Sequence, residues 1–511
     1  MKNVLIGIDI GTTNSKVGVF TEEGRQLAVV SRPTVTLRDE RLGIAYYDPE
    51  QMWESMYGAL REALTPLGDV RVSAIGIASM AESGLVVERA TGAPRSPFLP
   101  WFDTCSEPQA ARIKAESDPF ERFRLSGLHG SFKLGLAKLL WIQERVPEAL
   151  QGGDPAWLSA SGWIAYRLTG RMAFDDSLAA RTYAYRIDRR AWDVEWIRHF
   201  GLPASIFPEA VPGGRPIGVV KPELRALGLD ERTQVAIAGH DHVAAALAVG
   251  AVRPGAVYDS MGTAETLVGT LQARELTKED FAAGLSFGVH IAEGKYFWMG
   301  GQSSSGGSVE WLRELLGQPQ LTYDDVLALS AQASADPTGI LYFPYLAGSG
   351  APLPDSRIRA SFVGLGKTHG KSDVLKAVLE GTAYQLEMMK RSAERLTGDA
   401  IDRLLVVGGG TRNPLWLQVK ADITGCELAL PGVPEATLLG GALAAGIGAG
   451  VYADAEQAVA AAAHGIRADG IAERTVTPDA ARHDRYRALY EGGFEPLQAP
   501  LRAFFGSAAQ R

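Results

Sequence analysis

One short unit occurs twice in this chain and constrains its fold more than any other feature: an apolar strand, a carboxylate, a Gly-Thr turn and a second strand. The first copy begins with "IGIDIGTTNSK" at 6–16, where Asp9 is the carboxylate. The second copy is "GAVYDSMGTAETLVGTL" at 255–271, where Asp259 takes the same place. The recurrence favours two copies of one domain type, and coincidence between two ordinary hairpins is the alternative.

Strand patterns alternate with helix patterns along the rest of the chain. The segment 48–64 has helical spacing, and Asp48 followed by Pro49 is typical of a helix start. The apolar run 72–79 indicates a buried strand. Because 511 residues are too many for one hydrophobic core, we expect an α/β protein of two domains with a seam near 235–255.

The composition excludes several classes of protein. A net charge of −8 without a basic block argues against nucleic-acid and membrane-surface partners. Two cysteines, Cys105 and Cys426, exclude a disulfide scaffold and fit a reducing compartment. The N-terminus lacks signal-peptide architecture, and no apolar run reaches the ~18 residues of a membrane helix. We therefore expect a soluble, cytoplasmic protein.

The turn after Asp9 has the donors of an anion site. They are the backbone N–H groups of 11–14, the hydroxyls of Thr12, Thr13 and Ser15, and the ammonium of Lys16. A carboxylate beside phosphate requires a cation between them, and Mg²⁺ bridges carboxylates to phosphates. Asp9 is therefore a candidate magnesium ligand, and an Asp that caps its own turn is the alternative.

A second half of the same site is expected in the C-terminal part of the chain. Gly262 and Thr263 repeat the first turn, and the glycines at 408–410 would admit a flat purine against bare backbone. Together they predict an ATP site formed from two halves. The chain has no P-loop motif, and its triple glycine does not spell the dinucleotide-binding fingerprint.

"AGHDH" at 238–242 places three titratable groups at the end of a buried strand. Asp241 could accept a proton from a substrate hydroxyl as it attacks the γ-phosphate. The alternatives are that Asp241 caps the following helix, or that His240 or His242 binds a metal.

These residues together resemble the FGGY family of carbohydrate kinases. The resemblance covers almost the whole chain. "DIGTTNSK" and "DSMGTAE" are similar to the two phosphate motifs, and "VVGGGTRNPLWLQVKADITGCEL" to the adenosine motif. "ASFVGLGKTHGKSDVLKAVLEG" at 360–381 follows the C-terminal signature. The stretches 138–148 and 163–180 match the N-terminal domain.

The resemblance implies two ribonuclease-H-like domains, of the actin, Hsp70 and hexokinase fold, around a central cleft. Residues 1–247 would bind sugar and carry the first phosphate loop, and 248–505 would bind nucleotide. Asp241 would be the catalytic base and Asp9 would serve the metal. The expected nucleotide-binding residues are Thr12, Thr13, Asn14, Lys16, Gly262, Thr263, Gly306, Glu310, Gly409, Gly410 and Asn413.

The acceptor pocket departs from the well-known subgroups. "SMAESG" at 79–84 replaces the Gln-Met-His-Gly of xylulose kinases, and it keeps the Glu but not the Arg of glycerol kinases. Cys105 stands where an arginine is common, and Lys133 where glycerol kinases have an aromatic residue. A Lys with a His could suggest an acidic sugar such as an aldonate, unless Lys133 points to solvent. The expected acceptor-binding residues are Glu82, Trp101, Asp103, Lys133 and His242.

We therefore expect an ATP- and Mg²⁺-dependent kinase of a small sugar, with a ketopentose as the first choice. A polyol or an aldonate is the alternative acceptor. The sequence leaves the oligomeric state open, with a homodimer as one option. The alternative from another class is an Hsp70- or actin-like switching ATPase.

Overall fold

Strands and helices alternate along residues 2–468 and 470–508, which the computed structural model describes. The strands are β1 Lys2–Ile10, β2 Asn14–Thr21, β3 Gln26–Pro33, β4 Leu37–Asp39, β5 Ile44–Tyr46, β6 Val70–Ser79, β7 Gly84–Glu88, β8 Pro155–Ser159, β9 Phe174–Asp175, β10 Tyr185–Arg186, β11 Ala191–Trp192, β12 Ala210–Val211, β13 Pro216–Val219, β14 Gln234–His240, β15 Val257–Met261, β16 Glu265–Gln272, β17 Ser286–Val289, β18 Lys295–Gln302, β19 Leu341–Phe343, β20 Ser361–Val363, β21 Arg403–Val407, β22 Glu427–Leu430 and β23 Arg474–Val476.

The helices lie between and after these strands. They are α1 Pro49–Leu64, α2 Glu107–Ala115, α3 Pro119–Ser126, α4 Gly135–Arg145, α5 Ala160–Thr169, α6 Asp176–Ala180, α7 Val194–His199, α8 Asp241–Ala248, α9 Lys278–Ala282, α10 Gly306–Leu316, α11 Tyr323–Gln332, α12 Lys371–Thr397, α13 Pro414–Thr424, α14 Ala436–Gly448, α15 Ala455–Ala468, α16 Ala480–Leu489 and α17 Gln498–Ala508. The predicted helix in 48–64 is confirmed, and the Asp48 carboxylate caps it by accepting the N–H of Glu50 at 2.8 Å and of Gln51 at 3.0 Å.

Two large sheets share one topology. In the part of the chain described, the first sheet has the order β13-β14-β6-β1-β2-β3, and the second contains the series β23-β22-β21-β15-β16-β18. In each series the first pair is antiparallel, the next two pairs are parallel and the last two are antiparallel. The repeat read from the sequence is therefore a repeat of a whole domain core, and the expected α/β class is confirmed.

The first hairpin is built from β-branched residues that alternate with small ones. Ile6, Ile8 and Ile10 of β1 are fully buried, and Asp9 pairs with Lys16 across the hairpin. Apolar β-branched side chains on a half-buried strand explain why the strand forms here. The carboxylate consequently stands at the end of a rigid central strand.

Helix α14 belongs to the second half of the chain but packs on the first sheet, against β1, β6 and β14, and also on α8. Glycines permit this approach, since a Cβ added to Gly76 would come 1.8 Å from the carbonyl oxygen of Gly441. A Cβ on Gly440 would come 1.7 Å from the carbonyl oxygen of Ala244. Helix α14 therefore ties the two halves together next to β1.

Two further features bear on the organisation of the chain. Helix α8, Asp241–Ala248, crosses the expected domain boundary at 247/248, which stays a prediction. Over residues 2–468 and 470–508, none of the helices combines the length and the apolar character needed to cross a bilayer.

Candidate active site

The first turn is held in a tight conformation beside the end of β1. A Cβ on Gly11 would come 2.5 Å from the carbonyl oxygen of Asn14, so the turn requires glycine there. Thr34, directly after β3, holds the turn with two hydrogen bonds. Its hydroxyl donates to the Gly11 carbonyl at 2.8 Å, and its N–H donates to the Thr13 carbonyl at 2.9 Å. Thr13 and Asn14 remain exposed. The turn therefore presents polar groups to solvent from a fixed backbone.

Lys16 lies on the strand after this turn and reaches the second half of the chain. Its Nζ donates to Oε2 of Glu435 at 2.8 Å, directly before α14. Both side chains are partly exposed. The pair joins the first turn to the start of the helix that links the two halves.

Asp9 has one oxygen without a partner. Its Oδ1 is buried and has no hydrogen-bond partner in the protein. The pKa of Asp9 is raised to about 8, mainly by burial and then by the negative charges of Asp241 and Glu435, whereas Lys16 opposes the shift. Asp9 and Asp241 therefore share one electrostatic environment, and a free carboxylate oxygen beside a second carboxylate suits a cation.

Asp241 opens α8 directly after β14. Its Oδ1 accepts the N–H of His242 at 2.7 Å and lies 3.5 Å from Nε2 of His240. The cap position of the helix is His240, so the alternative in which Asp241 caps α8 is wrong. Burial lowers the pKa of His240 to about 3, so its ring is neutral and does not neutralise Asp241. The His242 ring is 5.4 Å from that of His240.

A relay of hydrogen bonds fixes the end of β14. The N–H of His240 donates to Oγ of Ser177 at 2.9 Å, and that hydroxyl donates to Oδ2 of Asp175 at 2.5 Å. Gly239 adopts φ 104°, where a Cβ would come 2.3 Å from the same hydroxyl. The buried cap of α6 therefore sets the position of Asp241.

Trp101 connects the first turn with the expected acceptor pocket. Its indole N–H donates to Oγ1 of Thr12 at 2.8 Å, and its backbone N–H donates to Oγ of Ser83 at 2.9 Å. The ammonium of Lys133 lies over the indole face, 4.9 Å from the ring centroid. Lys133 is half-buried, so the alternative in which it points to solvent is wrong.

Glu82 is held in a strained backbone conformation at this pocket. Its φ of 59° lies in the left-handed region, which costs a residue other than glycine of order 1 kcal/mol. Arg181 forms an ion pair with it, donating Nε to Oε1 at 2.7 Å, and both side chains are largely buried. The ion pair helps to hold this carboxylate at the pocket.

Both carboxylate oxygens of Asp103 accept hydrogen bonds from backbone N–H groups. Its Oδ2 accepts the N–H of Ala45 at 2.6 Å and its Oδ1 accepts the N–H of Cys105 at 2.8 Å. Burial raises the pKa of the Cys105 thiol to about 12, so it is protonated at neutral pH. Asp103 thus shapes the loop that carries Trp101.

The second turn lies against the start of α10. The N–H of Gly306 donates to the Gly262 carbonyl at 3.1 Å, and that of Gly307 donates to the Thr263 carbonyl at 3.0 Å. A Cβ on Gly306 would come 2.6 Å from the Gly262 oxygen. The structure therefore brings the predicted Gly262, Thr263 and Gly306 together at a close backbone contact.

The triple-glycine turn packs against the strand that precedes the second turn. A Cβ on Gly408 would come 2.5 Å from the Met261 carbonyl oxygen, and one on Gly410 would come 2.8 Å from the end of the Met261 side chain. Gly409 is exposed with open space above it. Bare backbone therefore faces solvent beside Met261.

Two other expected nucleotide residues are occupied by contacts within the protein. Oδ1 of Asn413 caps α13 by accepting the N–H of Trp416 at 3.2 Å, and its amide donates to Ser330 at 3.2 Å. Glu310 pairs with Arg313 at 2.6 Å and accepts the hydroxyl of Tyr323 at 2.9 Å. Their contact with nucleotide stays a prediction.

Asp259, the counterpart of Asp9 in the sequence repeat, lies in the core. Lys420 donates to its Oδ2 at 3.0 Å and also pairs with Glu265, and all three side chains are fully buried. Asp259 is therefore paired with a buried ammonium group inside the second domain.

Within the described residues, no group of three or more His, Cys, Asp and Glu side chains is placed to hold a metal ion on its own. The idea that His240 or His242 binds a metal therefore lacks the further ligands it requires. The free oxygen of Asp9 fits Mg²⁺, which needs only one or two carboxylates when phosphates supply other ligands.

Some contributors to the site were missed by sequence reasoning. Arg181 directly follows the stretch 163–180, and Lys138 opens the stretch 138–148. A lysine inside the otherwise apolar first turns of α4 was the available signal for Lys138. Arg181 and Glu435 gave none, because their contacts join distant parts of the chain.

The arrangement has the parts of a phosphoryl-transfer site. Two tight turns expose backbone and hydroxyl groups, Asp9 has an unpartnered oxygen, and Asp241 is close enough to raise the pKa of Asp9. Comparison with known proteins agrees with this chemistry. Residues 4–248 match the FGGY family of carbohydrate kinases, N-terminal domain, and residues 257–449 match the C-terminal domain of that family.

Individual relatives span nearly the whole chain. A glycerol kinase of Thermus brockianus is 32% identical over 469 residues, 87% of this chain and 90% of the relative. A xylulose kinase of Staphylococcus epidermidis is 27% identical over 497 residues, 96% and 95% of the two chains. The crystal structure of Plasmodium falciparum glycerol kinase with ADP has a TM-score of 0.86 at 21% identity, covering 97% of this chain and 98% of that one. The expected pair of ribonuclease-H-like domains is thereby confirmed. The protein belongs to the FGGY family of carbohydrate kinases.

Proposed function

We propose that this carbohydrate kinase transfers the γ-phosphoryl group of ATP to a hydroxyl of a small polyhydroxylated acceptor, with Asp241 as the base. The observation that carries the proposal is the buried, unpartnered Oδ1 of Asp9, which lies beside the turn at 11–16 and close enough to Asp241 for the two charges to interact. Membership of the family supports ATP as the phosphoryl donor. Membership of a family of carbohydrate kinases favours phosphorylation of a sugar over the switching-ATPase alternative.

The proposed step is a direct displacement. Asp241 accepts the hydroxyl proton as the acceptor oxygen forms a bond to the γ-phosphorus. The bond between that phosphorus and the bridging oxygen breaks, so the products are a phosphate ester and ADP. Such a reaction depends mainly on positioning and on stabilising charge.

Each turn has a proposed task in this step. The first turn and Lys16 bind the terminal phosphates, and Gly262 and Thr263 bind the phosphates from the other lobe. The bare backbone at 408–410 accepts the purine. Asp9 would hold Mg²⁺, which when bound with ATP neutralises charge on the transferring phosphates.

The acceptor lies between Trp101, Glu82 and Asp241. From sequence, a ketopentose is the first choice, with a polyol or an aldonate as the alternative. His242 and Asp103 act through neighbours: His242 through its N–H bond to Asp241, and Asp103 through the loop that carries Trp101.

The test is ADP release with Mg²⁺-ATP and a panel of ketopentoses, polyols and aldonates. We expect Asp241→Asn, which keeps the shape of the side chain, to lower kcat by ~10² or more because the proton acceptor is lost. Asp69→Asn, in the exposed turn before β6, is the matched control and should leave kcat unchanged. Near-normal turnover in Asp241→Asn would contradict the assignment of the base.

A further inference from the structure

We infer that the acceptor is a polyhydroxy acid of the aldonate class, whose carboxylate binds a cationic wall formed by Lys133, Lys138 and Arg181. This inference rests on the proposed phosphoryl transfer and specifies its substrate.

Two ammonium groups near the pocket form no ion pair with any residue that the structure describes. Glu82 is taken up by its ion pair with Arg181. Both oxygens of Asp103 accept backbone N–H groups. No carboxylate of the described residues lies within 4.0 Å of the ammonium of Lys133 or Lys138. Arg181 therefore has a carboxylate partner in the protein, whereas Lys133 and Lys138 have none within the described residues.

Two of these cations also have buried hydrogen-bond donors without a partner. Nζ of Lys138 is buried and has no hydrogen-bond partner in the protein, and neither has Nη1 of Arg181. A buried charged donor left unpaired is costly, so such groups are expected to meet a ligand. A carboxylate supplies both the charge and the acceptor oxygens, whereas a ketose or a polyol supplies only neutral hydroxyls.

Lys133 and Arg181 each lie near a residue of the expected acceptor site. Lys133 lies on the face of Trp101, whose indole edge bonds Thr12 of the first turn. Arg181 is close enough to His240 to lower the pKa of that ring, and His240 precedes Asp241. An acceptor lying along Trp101 therefore meets the wall with one group and the transfer site with another.

Lys133 and Lys138 belong to one electrostatic cluster. Burial lowers the pKa of Lys133, Glu82 opposes that effect, and Arg181 adds to it. Lys138 is influenced in turn by Glu82 and by Lys133. The carboxylate of a bound acid would raise the pKa of both ammonium groups.

In the reaction that follows from this assignment, the carboxylate stays unchanged. A hydroxyl of the acid forms the new bond to the γ-phosphorus, its proton passes to Asp241, and ADP leaves. The product is a phosphorylated sugar acid.

The first experiment compares aldonates of four to six carbons with the alditols of the same carbon skeleton and with ketopentoses, by ADP release. We expect kcat/KM for the preferred aldonate to exceed that of its alditol by about 10-fold or more. Equal or better turnover of a ketopentose or a polyol would overturn the acid assignment and leave phosphoryl transfer intact. No ADP release with any of the three classes would contradict both proposals.

The second experiment removes one charge from the wall. We expect Lys133→Met to raise KM for the aldonate by about 10-fold or more, with kcat changed much less. Lys114→Met, on the exposed face of α2, is the control and should leave both constants unchanged. Calorimetric titration with aldonate and no nucleotide should show the same loss of affinity. An unchanged KM and affinity in Lys133→Met would overturn the inference.

Discussion

At the scale of single residues, Lys138 lies in a buried environment that disfavours the charged form of its side chain. Its side chain is fully buried. The pKa of Lys138 is lowered to about 8, mainly by burial; Lys133 adds to this effect, and the negative charges of Glu82 and Asp103 oppose it. A methionine of similar length would fill the same space without that cost. A residue of this kind is expected where a ligand uses the charge.

The burial of a charged Lys138 predicts that its replacement stabilises the fold by an amount that depends on pH. Below pH 8 the folded protein must bury a charged Lys138, so we expect Lys138→Met to raise the free energy of unfolding by about 3 kcal/mol at most. Between the folded pKa of about 8 and the ordinary value of 10.5, the unfolded chain binds more protons. The wild type therefore gains stability as pH rises through this window, and the advantage of the variant shrinks.

Urea denaturation of both proteins at pH 7 and at pH 10 measures the effect. Lys114→Met serves as the exposed control, with no expected difference at either pH. A loss of stability in Lys138→Met at pH 7, or a gain that stays constant up to pH 10, would show that the ammonium is not the source of the cost.

At the scale of elements, the contact of α14 with the first sheet determines how the site is assembled. The helix begins after Glu435, which bonds Lys16, and its backbone touches the sheet through Gly7, Gly76 and Gly441. Contacts this close leave no room for a side chain, and displacing α14 would move Glu435 relative to the first turn. The packing of one helix therefore connects stability with the geometry of the nucleotide site.

Alanine substitutions at two glycines distinguish the close contact of α14 from the general effect of replacing glycine on backbone flexibility. Gly76→Ala places a Cβ 1.8 Å from the Gly441 oxygen, and overpacking of this kind costs about 1–3 kcal/mol or more. Gly58 lies in α1 with nothing within 4 Å of an added Cβ, so Gly58→Ala should stabilise by about 0.5–1 kcal/mol. Chemical denaturation of both variants measures the difference. Equal effects of the two substitutions would contradict the close contact.

At the scale of the whole molecule, the sequence predicted what depends on neighbours in the chain. The repeated hairpin, the Gly-Thr turns and the start of α1 are local patterns, and the structure confirms them. The different environments of Asp9 and Asp259 were not predictable, because Lys420 reaches Asp259 from 161 residues away. Arg181 and Glu435 were missed for the same reason. Their partners are distant in the chain, and the sequence around a residue does not indicate which distant residue it contacts.

The two lobes also divide the proposed work. The first carries the acceptor pocket, Asp9 and Asp241, and the second carries the turns at 262–263 and 408–410. Transfer requires both sets of groups at one phosphate, so we expect the lobes to close on their ligands and exclude water. The central claim is that one cleft holds the triphosphate between the two turns with Asp241 opposite.

The most direct test of this claim is a crystal structure with Mg²⁺ and an unreactive ATP analogue. We predict that the β- and γ-phosphates lie between the turn at 11–16 and the turn at 262–263, with the metal beside Asp9 and the Asp241 carboxylate facing the γ-phosphate. An analogue bound away from either turn, or a γ-phosphate remote from Asp241, would contradict the account.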